Sequence, residues 1–203
     1  MRTEDAAKLG IAFLIGAIPF SNLAARLTKG VDLRAVGSGT VSGTSLYRVA
    51  GWGPLAAAGV LEVGKGAVGP LLVGRQRREL AALAAGLAVA GHNWSPFLRG
   101  AGGRGISPSL GALGVLAPPG AALLFGGMAL GKLAGQAAPG SLAAQLALVP
   151  LLRRTNGRAG ALAGAAVLAP LLAKRLLGNA PPPAGSPAVR VYLTRLLHDR
   201  DVA

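Results

Sequence analysis

Apolar residues fill long blocks of this chain, and polar residues collect in the gaps between them. The first block covers about 11–27 and is broken by Pro19, which would badly kink a water-exposed helix but is tolerated in a packed membrane helix. A second block covers 52–73 and carries Glu62 and Lys65 inside it; the run Arg75-Gln76-Arg77-Arg78-Glu79 ends it. A third covers roughly 80–98 and closes on His92-Asn93-Trp94. Residues 106–133 are apolar but punctured by Pro108, Pro118 and Pro119, which fits two short helices or one helix and a re-entrant piece. The block 141–152 is short against the ~20 residues needed to cross a bilayer. Residues 159–177 form the last plausible span. The pattern predicts an all-α, polytopic integral membrane helix bundle with five to seven transmembrane helices, some short or broken.

Composition agrees. Of 203 residues 52% are hydrophobic and only 14% charged, against about 25% charged in a typical soluble domain. Aromatics are 4%, so the apolar character comes from Ala, Leu, Val and Gly. The 32 glycines would weaken helices in water, whereas in a bilayer small residues let helix backbones approach closely.

The net charge of +14 raises the question of nucleic acid. The basic residues sit at the ends of apolar blocks rather than on one amphipathic face, which fits topology signals and anionic headgroups and argues against a nucleic-acid partner. The loops around 29–48 and 99–104 lie two spans apart, so they share one face, which the positive-inside rule makes cytoplasmic; the Arg75–Arg78 run then falls on the opposite face. Met1-Arg2-Thr3-Glu4-Asp5 lacks the basic start of a signal peptide, so the first block is expected to be retained. Residues 1–178 read as the membrane domain, 179–188 as a Pro-rich linker, and the basic tail 189–203 as a solvated tail, with a membrane-surface amphipathic helix as the sharper alternative. There are no cysteines and two histidines, so no metal site is expected.

The chemistry concentrates in two polar loops. Val36-Gly37-Ser38-Gly39-Thr40-Val41-Ser42-Gly43-Thr44-Ser45-Leu46-Tyr47-Arg48 holds five hydroxyls besides Tyr47, three glycines, a terminal arginine and no acid. Backbone N–H groups, short hydroxyl donors and a planar cation are the equipment for holding a phosphate. Downstream, Gly91-His92-Asn93 is followed by Gly102-Gly103-Arg104-Gly105, where flanking glycines permit close approach of a ligand to Arg104. Thr44 and the His92-Asn93 pair are each equally compatible with a local structural role. Ser38 lacks an evident triad: only His92 is available as a base, and no third group is evident to orient it. Glu62 and Lys65 are neighbours on one helix face; ionisable residues in an apolar span are costly and often functional, and an ion pair is the structural alternative.

These loops carry a resemblance. Gly16-Ala17-Ile18-Pro19-Phe20 and Gly30-Val31-Asp32-Leu33-Arg34-Ala35-Val36-Gly37-Ser38-Gly39 resemble the PlsY family of bacterial acyl-phosphate:glycerol-3-phosphate acyltransferases. Gly37, Ser38, Gly39, Thr44 and Arg48 match its first motif, V-G-S-G-N-x-G-A-T-N-x-x-R, at the family's spacing. Glu62-Val63-Gly64-Lys65-Gly66 is similar to its D-x-x-K-G pattern, and Gly91-His92, Phe97 and Gly102-Gly103-Arg104-Gly105 are similar to its second motif. Thr40 and Ser45 stand where the family usually has asparagines, Ser42 replaces a glycine, and Arg104 replaces a lysine. The third motif is reduced to Lys174-Arg175-Leu176-Leu177-Gly178, its His and Asn positions falling on Ala169 and Leu172.

The resemblance implies transfer of a fatty acyl group from acyl phosphate to glycerol 3-phosphate, giving lysophosphatidate in a bacterial plasma membrane. It implies no cofactor and no metal. It assigns Ser38, Arg48, His92 and Arg104 to catalysis, and Gly37, Gly39, Thr40, Thr44, Ser45, Lys65, Gly102 and Gly103 to binding substrate phosphate. The acceptor's own phosphate can take the hydroxyl proton, since its second pKa is near ~6. The partners implied are the two phosphorylated substrates and membrane lipids. An altered-substrate or non-catalytic relative that binds a phosphorylated lipid precursor is the alternative. An anion transporter is disfavoured, because no inverted repeat is evident and the polar loops gather on one face.

Overall fold

The computed structural model describes residues 2–37, 39–74, 76–179, 181–182, 185 and 187–199. Helices α1 (Thr3–Ala17) and α2 (Phe20–Lys29) form one leg, interrupted at Ile18-Pro19 as the sequence predicts. The segment read as a loop over 28–48 is partly helical: a 3-10 turn (Leu33–Ala35) is followed by α3 (Gly43–Ala50). Ser42 starts α3 as an N-cap, its Oγ accepting from Ser45 N at 3.2 Å, which satisfies a donor that the first helical turn leaves open.

Helices α4 (Trp52–Val73) and α5 (Arg78–Asn93) follow. Residues 106–133 form two helices, α6 (Ile106–Leu116) and α7 (Pro118–Leu133), parted at Ala117. Pro118 cannot continue the preceding hydrogen-bond ladder but suits a helix start. The 41-residue α8 (Ala137–Leu177) is bent sharply at Gly157, whose φ of 65° and ψ of −151° favour glycine. Its arms, 137–156 and 158–177, run antiparallel: a Cβ at Gly160 would lie 2.5 Å from Leu152 O, and one at Gly164 would lie 3.5 Å from Val149 Cα. The block 141–152, too short by itself, is thus part of a longer arm that carries Arg153 and Arg154 at its end. In the tail, α9 (Ala188–His198) forms and packs back on α8.

The α1–α2 leg, α4, α5, α6, α7 and the two arms of α8 run alternately between two ends of a bundle. Among the described residues there is no strand. Helices touch backbone to backbone. A Cβ at Gly66 would lie 1.9 Å from Pro108 O, one at Gly111 1.9 Å from Val63 O, and one at Gly16 2.2 Å from Ala88 O. This is why small residues mark these seams and why α4 can pack closely on α6, and α1 on α5. The main apolar core joins α5, α6, α7 and α8 through Val89, Leu113, Leu124, Leu148, Leu152, Val167 and Leu171. A second cluster, Ala25, Leu33, Val41, Leu46, Ala58 and Leu98, holds the loops at one end. Among the described residues, three helical segments are long and apolar enough to cross a membrane: Thr3–Lys29, Trp52–Val73 and Ala137–Leu177.

Candidate active site

The two polar loops meet. Val41 N, in the first, donates to Gly102 O, in the second, at 3.3 Å, and Gly103 N donates to His92 O at 3.3 Å. Beneath them α4 presents Glu62 and Lys65 one turn apart, with Nζ 2.7 Å from Oε2 and both side chains nearly inaccessible. So the helix pitch does set this pair, as the spacing predicts.

The environment of the pair comes from other elements. Ser21, at the start of α2, donates to Glu62 Oε1 from its backbone N (3.0 Å) and its Oγ (3.1 Å). His92 Nδ1, on α5, lies 3.1 Å from Glu62 Oε2. Lys65 Nζ donates to Ile18 O at 2.6 Å and stands 5.8 Å from the centre of the Phe20 ring. The break at Pro19 leaves that carbonyl pointing toward α4 instead of serving the helix ladder. A buried carboxylate is thereby met by one ammonium, one imidazole and two hydrogen-bond donors, the compensation that burial of charge requires.

With Nδ1 on the side of the carboxylate, the other ring nitrogen, Nε2, faces the second loop. A Cβ on Gly103 would lie 2.3 Å from that Nε2 and 2.6 Å from Val41 O. Only a glycine lets the second loop pass this close to His92. Gly102 is equally constrained, a Cβ there falling 2.2 Å from His92 O. Asn179 clasps Gly102 from the end of α8, Nδ2 donating to Gly102 O at 3.1 Å and Oδ1 accepting from Gly102 N at 3.4 Å.

The remaining predicted site residues are placed as follows. Ser38 lies outside the described residues. Gly37 and Gly39 flank it with φ of 58° and 67°, a turn that favours glycine. Thr40 is buried, and its carbonyl accepts from Ser45 Oγ at 2.8 Å, so the Ser45 hydroxyl braces its own loop. Thr44 and Arg48 are exposed on α3. Arg104 points toward the end of α8 and the tail: Nη1 donates to Lys174 O at 3.0 Å, and Nε lies 2.9 Å from Asp199 Oδ1. Nearby, Arg34 and Arg26 bond Asp32, and the hydrogen bond from Arg34, chiefly, holds that carboxyl well below the usual carboxylate range.

Sequence reasoning missed several residues. Ser21 and Asn22 are buried polar side chains just after the Pro19 break, a polar pair that the apolar pattern already exposes. Lys174 is buried with Nζ 5.4 Å from the Trp94 ring centre. Glu62 is the orienting group that His92 lacks in sequence, because its place on α4 becomes adjacent only through packing.

The family model for glycerol-3-phosphate acyltransferase matches residues 7–179. The chain belongs to this family. A glycerol-3-phosphate acyltransferase of Synechococcus sp. (strain CC9902) is 36% identical over 167 residues, 81% of this chain and 83% of that protein. Glycerol-3-phosphate acyltransferase 4 of Dehalococcoides mccartyi (strain CBDB1) is 44% identical over 108 residues, 52% of this chain and 47% of the relative, so that match spans about half of each. The fold is similar to the crystal structure of an integral membrane glycerol 3-phosphate acyltransferase in its glycerol 3-phosphate form, with a TM-score of 0.76, 24% identity, and 98% of this chain and 94% of the other covered. Fold and family agree with the expectation of an all-α membrane helix bundle.

Proposed function

We propose that this protein is a membrane acyltransferase that moves a fatty acyl group from acyl phosphate to glycerol 3-phosphate, giving lysophosphatidate. The observation that carries the reading is a family match whose span contains both glycine loops and the buried Glu62–Lys65–His92 cluster beneath them.

The acceptor's first hydroxyl attacks the acyl carbonyl carbon. A C–O bond forms to glycerol 3-phosphate, the bond from the acyl carbon to the phosphate oxygen breaks, and inorganic phosphate leaves. The hydroxyl proton goes to the acceptor's own phosphate, whose second pKa near ~6 suits it. Because acyl phosphate is already activated, positioning and charge neutralisation supply the catalysis.

Lys65, Arg104 and Arg48 are the cations assigned to the two phosphates, and the glycines Gly37, Gly39, Gly102 and Gly103 let a ligand approach the loop backbone closely. Ser38, Thr40, Thr44 and Ser45 complete the polar loop. Glu62 fixes His92, which presents Nε2 at the Gly103 turn.

We also place the site end at the cytoplasmic face of a bacterial plasma membrane. Supporting this, the loops at the site end carry Lys29, Arg34, Arg48, Arg99 and Arg104.

The test is lysophosphatidate formation by the detergent-purified protein, given glycerol 3-phosphate with either acyl phosphate or acyl-CoA. Turnover with acyl phosphate alone is expected. A specific observation favours a second reading: Ala169 and Leu172 replace the third motif's His and Asn. No turnover with either donor from folded protein, with glycerol 3-phosphate still bound, would establish the binding protein instead.

A further inference from the structure

The chain has only seven acidic residues among 203, yet one of them reaches the candidate site from the far end of the sequence. Asp199 follows α9, and its Oδ1 lies 2.9 Å from Arg104 Nε, with both side chains mostly covered. The same guanidinium donates through Nη1 to Lys174 O at 3.0 Å. A carboxylate on the Nε edge of an arginine occupies ground that a phosphate would use for a bidentate grip.

We infer that α9 is a latch on the phosphate site: Asp199 holds Arg104 until a phosphorylated substrate displaces the carboxylate and releases the helix. This rests on the reading of Arg104 as a phosphate ligand.

The docking of α9 suits a part that lifts. Arg195 Nη1 donates to Leu176 O (3.2 Å) and Leu177 O (2.8 Å), and Arg175 Nε donates to Leu196 O at 2.7 Å. The Arg195 contacts place a cation on carbonyls at the C-terminal end of α8, and the Arg175 contact places one on a carbonyl in the last turn of α9, where each helix dipole favours positive charge. Val191 is the single apolar side chain of α9 that is buried, so lifting the helix removes little apolar surface from its cover. Val189, Leu193 and Leu197 on α9 are exposed while it is docked, and Leu196 is half-buried.

The experiment is hydrogen exchange of residues 188–198 in the full-length protein, with inorganic phosphate, glycerol 3-phosphate or glycerol, together with steady-state kinetics of Asp199→Asn. Both phosphorylated ligands are expected to speed exchange in α9 at least about twofold, and glycerol to leave it unchanged. Asp199→Asn should exchange fast without ligand, and its KM for glycerol 3-phosphate should fall about two- to fivefold, the range for a largely covered but not fully buried ion pair. Exchange in α9 that ignores both phosphorylated ligands overturns the latch, as does an Asp199→Asn protein with wild-type exchange. Exchange needs no turnover, so the two readings fail separately. A protein that forms no lysophosphatidate but loosens α9 with phosphate keeps the latch and loses acyl transfer; turnover beside an unresponsive α9 does the reverse.

Discussion

His92 Nδ1 lies 3.1 Å from Glu62 Oε2, and the same oxygen lies 2.7 Å from Lys65 Nζ. One carboxylate therefore sets the orientation of an imidazole on a neighbouring helix and neutralises an ammonium on its own. Replacing Glu62→Gln keeps the shape and an acceptor for Ser21 but leaves the Lys65 charge buried without its anion. A loss of about 3–5 kcal/mol in stability is expected, together with a fall in acyl transfer of at least about tenfold. Thermal unfolding in detergent and a turnover assay check both. Wild-type stability in the variant would mean that Lys65 finds other compensation.

Gly103 separates close packing from ordinary flexibility. Its Cβ would lie 2.3 Å from His92 Nε2, whereas Gly59, on α4, has nothing within 4 Å of a Cβ. Gly103→Ala is expected to displace the loop from His92 and lower turnover at least about tenfold. Gly59→Ala should be neutral or stabilising by up to about 1 kcal/mol, since alanine is the better helix former. The comparison is read from turnover and unfolding temperature of the two purified proteins. Equal activity in both would remove the close contact from the list of functional features.

Arg48 is exposed on α3. A residue so placed contributes little to folding, so Arg48→Ala should change stability by no more than about 0.5 kcal/mol. If it grips a substrate phosphate, acyl transfer nevertheless falls at least about tenfold. Normal turnover would return Arg48 to the role of a surface charge.

Asp32 makes a pH prediction outside the spans. Its carboxyl is held well below the usual carboxylate range, first by the Arg34 hydrogen bond and also by Arg26. The depressed group stabilises the fold fully above the unfolded-state pKa of ~3.9, and that contribution is lost as pH falls through the lower folded-state value. Asp32→Asn should thus cost about 1 kcal/mol near neutrality. The gap to wild type should close progressively below about pH 4. Unfolding midpoints measured across that range give the answer, and a gap independent of pH would assign the effect to the turn alone.

Much of the fold is legible from spacing. The breaks at Pro19 and Pro118, the span Trp52–Val73 and the two glycine loops follow from residue types that act over a few positions. The exceptions have local causes too. Arg153 and Arg154 end an arm of α8 rather than lying in a loop, because a helix end at a membrane surface accepts cations. Gly43–Ala50 is helical because Ser42 caps it, a signal that a run of hydroxyls and glycines hides.

By itself the sequence determines that this chain is an apolar helical bundle with polar, glycine-rich loops, and that Glu62 and Lys65 share one helix face, since 3.6 residues per turn fixes their spacing. Tertiary structure alone decides who meets them. Ser21 reaches Glu62 across 41 residues of sequence, His92 arrives on another helix, and Asp199 returns from the tail to Arg104. Those meetings depend on which helices approach closely enough for their backbones to touch. That choice is made by glycines facing backbone across the seams, as at Gly66 and Pro108, and no local periodicity encodes it.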